Sequence, residues 1–332
     1  MKPALDTNKM SADLRRKTID IATRRLLITD FRETEQAKDF TKPPNCEGVG
    51  RIRHFKRFGS DGWPLNPLPI DPVLHKLAME PADMLMTQAF QNASCNWRCW
   101  YCYVPFSLLS ANQKNSRWVS ADDLLDLYER DVHKLRVFDL SGGQPDLTPE
   151  WVPWMMRALS RRGLSKQTYL WSDDNLSTDY FWRYLTAEDI TLIQNYPNYG
   201  KVCCFKGISP SSFAFNTQAD SSLYGQQFEL FAKYCKLHID LYGYVTFTTI
   251  DETTIPQDMA DFCDRLQSIS VNLPLRVVPL EIRQFTPTKS RMRDGHERAL
   301  KLQWSAVECW KSELKRRFAP ALLSLPIYDI LL

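Results

Sequence analysis

The spacing of apolar and polar positions changes character along this chain. From about residue 84, short apolar runs of strand length alternate with longer amphipathic stretches. The runs are Met84–Gln91, Leu135–Leu140, Thr168–Ser172, Lys201–Ile208, Leu241–Thr248 and Leu275–Ile282. They are rich in β-branched and aromatic residues, so each predicts a strand. A helix is predicted after each. Ser120-Ala-Asp-Asp123 has the spacing of a capping box. Thr148-Pro-Glu-Trp151 predicts a helix with Pro at its first position. Further helices are expected after Ser177/Thr178 and over Ser222–Lys236, Pro256–Ile269 and Ala299–Phe318, the last closing on the outside.

Six β-then-α units in a row imply a parallel sheet with right-handed crossovers, an α/β fold. Six units fall short of the eight of a complete barrel. The expectation is a partial (βα)6 TIM-like barrel, with a doubly wound open sheet as the alternative. Its expected bounds are residues 81–283, after an N-terminal extension over 1–80 and before a C-terminal helical segment over 284–332.

The first 80 residues do not share the alternation. Residues 1–60 hold 14 Lys/Arg against 8 Asp/Glu, and residues 14–28 predict a basic helix. Asp61–Pro72 is too rich in proline for regular structure, but Trp63 and its apolar neighbours call for burial, so an ordered loop is expected. Gly48–Gly59 alternates basic and apolar residues. It predicts a strand across the open barrel edge, which would shield that edge from unwanted pairing. The alternative is that Arg51, Arg53 and Arg57 point towards an anionic ligand.

Composition narrows the class. The 332 residues carry 42 Lys/Arg against 39 Asp/Glu, a formal charge of +3, with 44% hydrophobic and 24% charged residues. That excludes a disordered, collagen-like or coiled-coil chain. It gives no global case for a nucleic-acid or membrane partner. No apolar run approaches the roughly 20 residues of a spanning helix, and the first 20 residues lack a secretory apolar core. A cytoplasmic protein is expected, so its nine cysteines are expected to be reduced.

Six of those cysteines are scattered and read as small buried hydrophobes. Adjacent Cys203 and Cys204 should face opposite sides of a strand. The other three fall within eight residues, Cys95-Asn-Trp-Arg-Cys99-Trp-Tyr-Cys102, just past the first predicted strand. Active sites of parallel α/β folds lie at such strand ends. Thiolates suit iron–sulfur clusters and zinc. A closed structural zinc site wants four ligands, and three are in view.

Cys-x3-Cys-x2-Cys with an aromatic residue before the third Cys resembles the signature of the radical S-adenosylmethionine (radical SAM) superfamily. The second predicted strand ends Phe138-Asp-Leu-Ser-Gly-Gly-Gln-Pro145, similar to that superfamily's Gly-Gly-Glu-Pro, with Gln144 in place of Glu. Two glycines let a backbone approach a ligand closely. The resemblance implies that Cys95, Cys99 and Cys102 hold three irons of a [4Fe–4S] cluster whose fourth iron binds S-adenosylmethionine. Reductive cleavage would then yield methionine and a hydrogen-abstracting 5′-deoxyadenosyl radical, with electrons from a donor such as flavodoxin or ferredoxin.

It also implies that Tyr101 lies against the adenine, and that Ser141, Gly142, Gly143, Gln144 and Pro145 hold the cofactor's methionine end. Ser172, Asp173 or Asp174 would approach the ribose or carboxylate, the first two preferred, with Asn175 a weaker candidate. Backbone around Val278 and Leu280 would flank the adenine. Lys206 matches the Lys of an Asp-x-Lys strand in activating proteins of glycyl-radical enzymes, the branch this core resembles most, although Cys204 stands where Asp would be. Three substrate readings follow: a small metabolite, which is preferred, a glycine of a partner protein, or a nucleic acid. The last draws on Arg283–Phe318, with 10 Lys/Arg against 4 Asp/Glu. A cluster-binding scaffold or sensor without turnover is the non-enzymatic reading.

Overall fold

A computed structural model describes residues 4–332. Ten strands form in chain order: β1 Ile19–Asp20, β2 Arg25–Thr29, β3 Gly50–Lys56, β4 Met84–Phe90, β5 Ser116–Ser120, β6 Val137–Leu140, β7 Tyr169–Asp174, β8 Tyr199–Phe205, β9 Asp240–Val245 and β10 Val277–Pro279. The main helices are α1 Thr7–Thr18, α2 Ile70–Lys76, α3 Ala121–Arg130, α4 Trp151–Arg161, α5 Tyr180–Tyr184, α6 Ala187–Asn195, α7 Pro210–Thr217, α8 Tyr224–Cys235, α9 Ile255–Ile269, α10 Thr286–Lys289 and α11 Asp294–Arg317.

Seven strands make the central sheet in the order β10-β9-β8-β7-β6-β4-β3. The six predicted from apolar runs are parallel, and β3 closes one edge antiparallel to β4. This is the expected partial barrel with its expected edge strand. A separate antiparallel sheet joins β1, β2 and β5.

Side-chain alternation gives the sheet two faces. On the outer face Phe138, Leu140, Leu170, Cys203, Phe205 and Leu241 pack under the helices. On the inner face Val137, Trp171, Val202, Tyr242 and Val278 pack with Phe55, Leu85 and residues of α2. Cys203 and Cys204 do face opposite ways, the first in the outer cluster and the second against the inner one.

Local signals set several helix starts. The capping box at Ser120 and Asp123 forms as expected. The helix foreseen at Thr148 instead begins at Trp151 and leaves Pro149 outside it. Pro145–Leu147 is a separate short turn, and Thr148 is held in a non-helical conformation that bonds its hydroxyl to the Pro145 carbonyl. The basic helix expected over residues 14–28 is corrected. α1 ends at Thr18 and the chain turns extended, because Leu26, Leu27 and Ile28 bury themselves in a strand paired with β5. Among the described residues no helix is long and apolar enough to cross a membrane.

Candidate active site

Two loops meet at the C-terminal ends of β4 and β6. The first carries the three cysteines and is stitched to α7. The Arg98 and Trp100 amides donate to the Thr217 and Asn216 carbonyls at 3.1 and 3.2 Å, and Trp100 Nε1 donates to Asn216 Oδ1 at 3.1 Å. Trp97 is buried edge-on against Phe213. The two tryptophans of the motif are thus anchors that fix the cysteine-bearing backbone. Arg291, from the segment before α11, braces the same loop by donating to the Cys102 and Val104 carbonyls at 2.7 and 2.9 Å.

The second loop is Ser141–Pro145. Gly142 and Gly143 have φ of +79° and +63°, a backbone region that favours glycine. A Cβ on Gly143 would lie 2.4 Å from both the Asn92 and Ser94 carbonyl oxygens. The Gln144 amide donates to the Ser94 carbonyl at 2.7 Å. The glycine turn is therefore pressed directly onto the chain that leads into Cys95.

Burial pushes the Cys99 thiol up to about 12, opposed by the nearby Lys206 ammonium, and raises Cys102 as well. Cys95 and Cys102 both bear on the charge of Cys99, so the three thiols are neighbours. Among the described residues no three Cys, His, Asp or Glu side chains are drawn into a single-ion site. With the adjoining glycine cradle, the donor set fits a multi-iron cluster, whose binding must displace the thiol protons.

The structure places the other expected residues as follows. Tyr101 is buried with its hydroxyl 3.2 Å from Thr246 Oγ1 at the end of β9. Lys206 lies just past β8 on the same inner side as Cys204. Burial alone would pull its ammonium down, but Cys204, Tyr101 and Cys99 raise it. Asp173 also faces inward, 3.9 Å from Arg53. Ser172 is a correction. Alternation turns it to the outer face, where its hydroxyl meets Tyr199 Oη at 2.8 Å, so its side chain does not reach the barrel interior. The Gln144 side chain also turns outward. Its Nε2 donates to Asp174 Oδ1 at 2.7 Å. Val278 packs in the inner cluster, and the Leu280 amide is spent on the Val245 carbonyl at 2.8 Å. On either side of β10, Arg276 pairs with Asp240, and Glu281 binds Ser60 and Arg283, so both are held in structural ion pairs.

Two charged constellations were missed. Inside, Arg53 Nη1 donates to Asp139 Oδ2 at 3.0 Å and to Ser141 Oγ at 2.9 Å. Behind the sheet, Lys201 Nζ lies 2.9 and 2.8 Å from the two Asp146 oxygens, and Tyr234 Oη donates to Oδ2 at 2.5 Å. The signal was available: Asp139 and Lys201 are charged residues inside apolar strands, and a buried charge demands a partner.

The partial barrel thus carries a cysteine-bearing loop seated on a glycine turn. Residues 93–193 match the radical SAM superfamily model, so this segment is similar to a radical SAM domain. That superfamily uses a [4Fe–4S] cluster and S-adenosylmethionine. No curated protein matches the chain. Similar solved structures include SuiB of Streptococcus suis bound to its precursor peptide SuiA, 11% identical over 53% of this chain and 36% of that one, TM-score 0.37. SuiB bound to S-adenosylmethionine is 12% identical over 57% and 40%, TM-score 0.38. anSMEcpe with bound AdoMet is 13% identical over 56% and 58%, TM-score 0.33. The chain thus spans less than two thirds of each of these proteins.

Proposed function

We propose that this chain is a radical SAM enzyme acting on a small polar substrate held at the inner face of the partial barrel. Cys95, Cys99 and Cys102 would hold the cluster, and S-adenosylmethionine would lie against Gly142–Pro145. Together the two cofactors, when bound, supply hydrogen-atom abstraction through reductive cleavage of S-adenosylmethionine.

One observation carries the reading: the glycine turn and the cysteine loop are a single packed unit, joined by the Gln144 amide on the Ser94 carbonyl and by the contact that a Cβ on Gly143 would destroy. The remaining roles belong to the chain's own side chains. Lys206 presents an ammonium to a carboxylate of the cofactor. Asp139 and Ser141 fix Arg53, which with the Asp173 carboxyl gives the interior the polar groups to hold a substrate.

The test is anaerobic reconstitution with iron and sulfide, then dithionite and S-adenosylmethionine, reading 5′-deoxyadenosine by mass spectrometry. The nucleoside is expected from the wild type and not from Cys99→Ala, which should also lose the visible absorption of the cluster. Loading of zinc in place of iron overturns the proposal.

A further inference from the structure

The buried amide of Asn175 lies beside a sulfur. Its Nδ2 is 3.7 Å from Cys95 Sγ, and both residues are under a tenth exposed. The amide is not free to swing. The Asn175 backbone N–H donates to Gln144 Oε1 at 2.9 Å. Gln144 Nε2 holds Asp174 Oδ1, which also accepts the Leu176 amide at 2.8 Å. Nδ2 has a second acceptor in Asn96 Oδ1 at 3.2 Å, while Oδ1 of Asn175 is buried without a partner. Packing and the flanking bonds, not a satisfied carbonyl, set this orientation.

We infer that Asn175 is a positioning residue that raises the reduction potential of the cluster through an N–H···S hydrogen bond to Cys95. The inference rests on the proposed assignment of Cys95 as a ligand. An N–H dipole aimed at a ligating thiolate favours the extra negative charge that reduction brings, and hydrogen bonds to the sulfurs are one of the protein's levers on cluster potential. A buried, low-dielectric setting strengthens the effect. Because Gln144 belongs to the glycine turn, the loop that would carry the cofactor also aims this donor.

The test compares reconstituted wild type, Asn175→Ala and the isosteric Asn175→Asp, with iron content measured and reduction followed by electron paramagnetic resonance at poised potentials. At the poise where the wild type is half reduced, Asn175→Ala should hold roughly threefold less reduced cluster, consistent with loss of one sulfur hydrogen bond. Asn175→Asp should hold less still, since a carboxylate replaces the donor. Gln144→Leu should move in the same direction by less. Equal midpoints across a fully loaded series overturn the inference and leave the site assignment standing. A wild type that binds no four-iron cluster overturns the assignment, and the inference with it.

Discussion

The two faces of the central sheet each hold a buried ion pair, and the pairs differ in kind. Lys201–Asp146 lies behind the sheet with both side chains almost wholly buried. Burial pushes the Asp146 carboxyl up, while the pairing holds Lys201 protonated. With the ammonium on both oxygens and Tyr234 donating to one of them, the ionised pair is the form this geometry fits. Asp146 directly follows Pro145, so the pair pins the glycine turn to β8 and α8. Arg53–Asp139 lies inside. There the Asp is fully buried but the Arg is 24% exposed, and neither Nε nor Nη2 of Arg53 has a partner among the described residues. A sealed pair holds a loop in place; a half-open one can still accept a ligand.

Removing the sealed pair should cost most. Lys201→Met strands a buried carboxylate and should lose about 3–5 kcal/mol of stability in denaturant unfolding. Adding Asp146→Leu should recover much of that, and no recovery would break the contrast drawn here. On the inner face, Arg53→Met should cost less, about 2 kcal/mol, because the pair is partly hydrated and Ser141 still donates to Asp139.

A third change tests the link between the faces. Gln144→Glu sets a second carboxylate beside Asp174, and should cost about 1–2 kcal/mol in denaturant unfolding, relieved by Asp174→Asn. This also explains why Gln serves here where the superfamily motif has Glu: a side chain that donates to Asp174 must carry an amide.

The smallest effect concerns pH. Burial, with Asp139 adding to it and Arg53 and Lys206 opposing, raises the Asp173 carboxyl from 3.8 to about 7. The folded chain therefore holds this proton more tightly than the unfolded one. Its contribution to stability is full below about pH 4 and is lost as the pH rises through 7. Asp173→Asn should flatten that slope by about 1 kcal/mol in unfolding midpoints measured across the range. An unchanged slope would show that Asp173 ionises normally.

Much of the barrel was legible because its strands are buried on both faces and so read as plain apolar runs. The edge strand was legible from alternation between Arg and apolar residues over Gly50–Lys56. The start of the chain was misread because basic residues at 15–17 and 24–25 looked like one helical face. In the fold Arg15 turns inward to pair with Glu150, and the apolar run at 26–28 prefers a strand. Ser172 and Asp173 could not be told apart without the register of β7, since one residue of shift exchanges the two faces.

The sequence by itself determined the six parallel strands, the Cys-x3-Cys-x2-Cys loop and the glycine turn, because each depends on residues adjacent in the chain. Only the tertiary structure decided that Ser94 seats the glycine turn, that Gln144 aims Asn175 at Cys95, and that Asp146 finds Lys201 across 55 residues of sequence. Those partners are set by strand register and by the packing of helices onto the sheet, and a buried polar group in any one segment specifies only that some partner must exist.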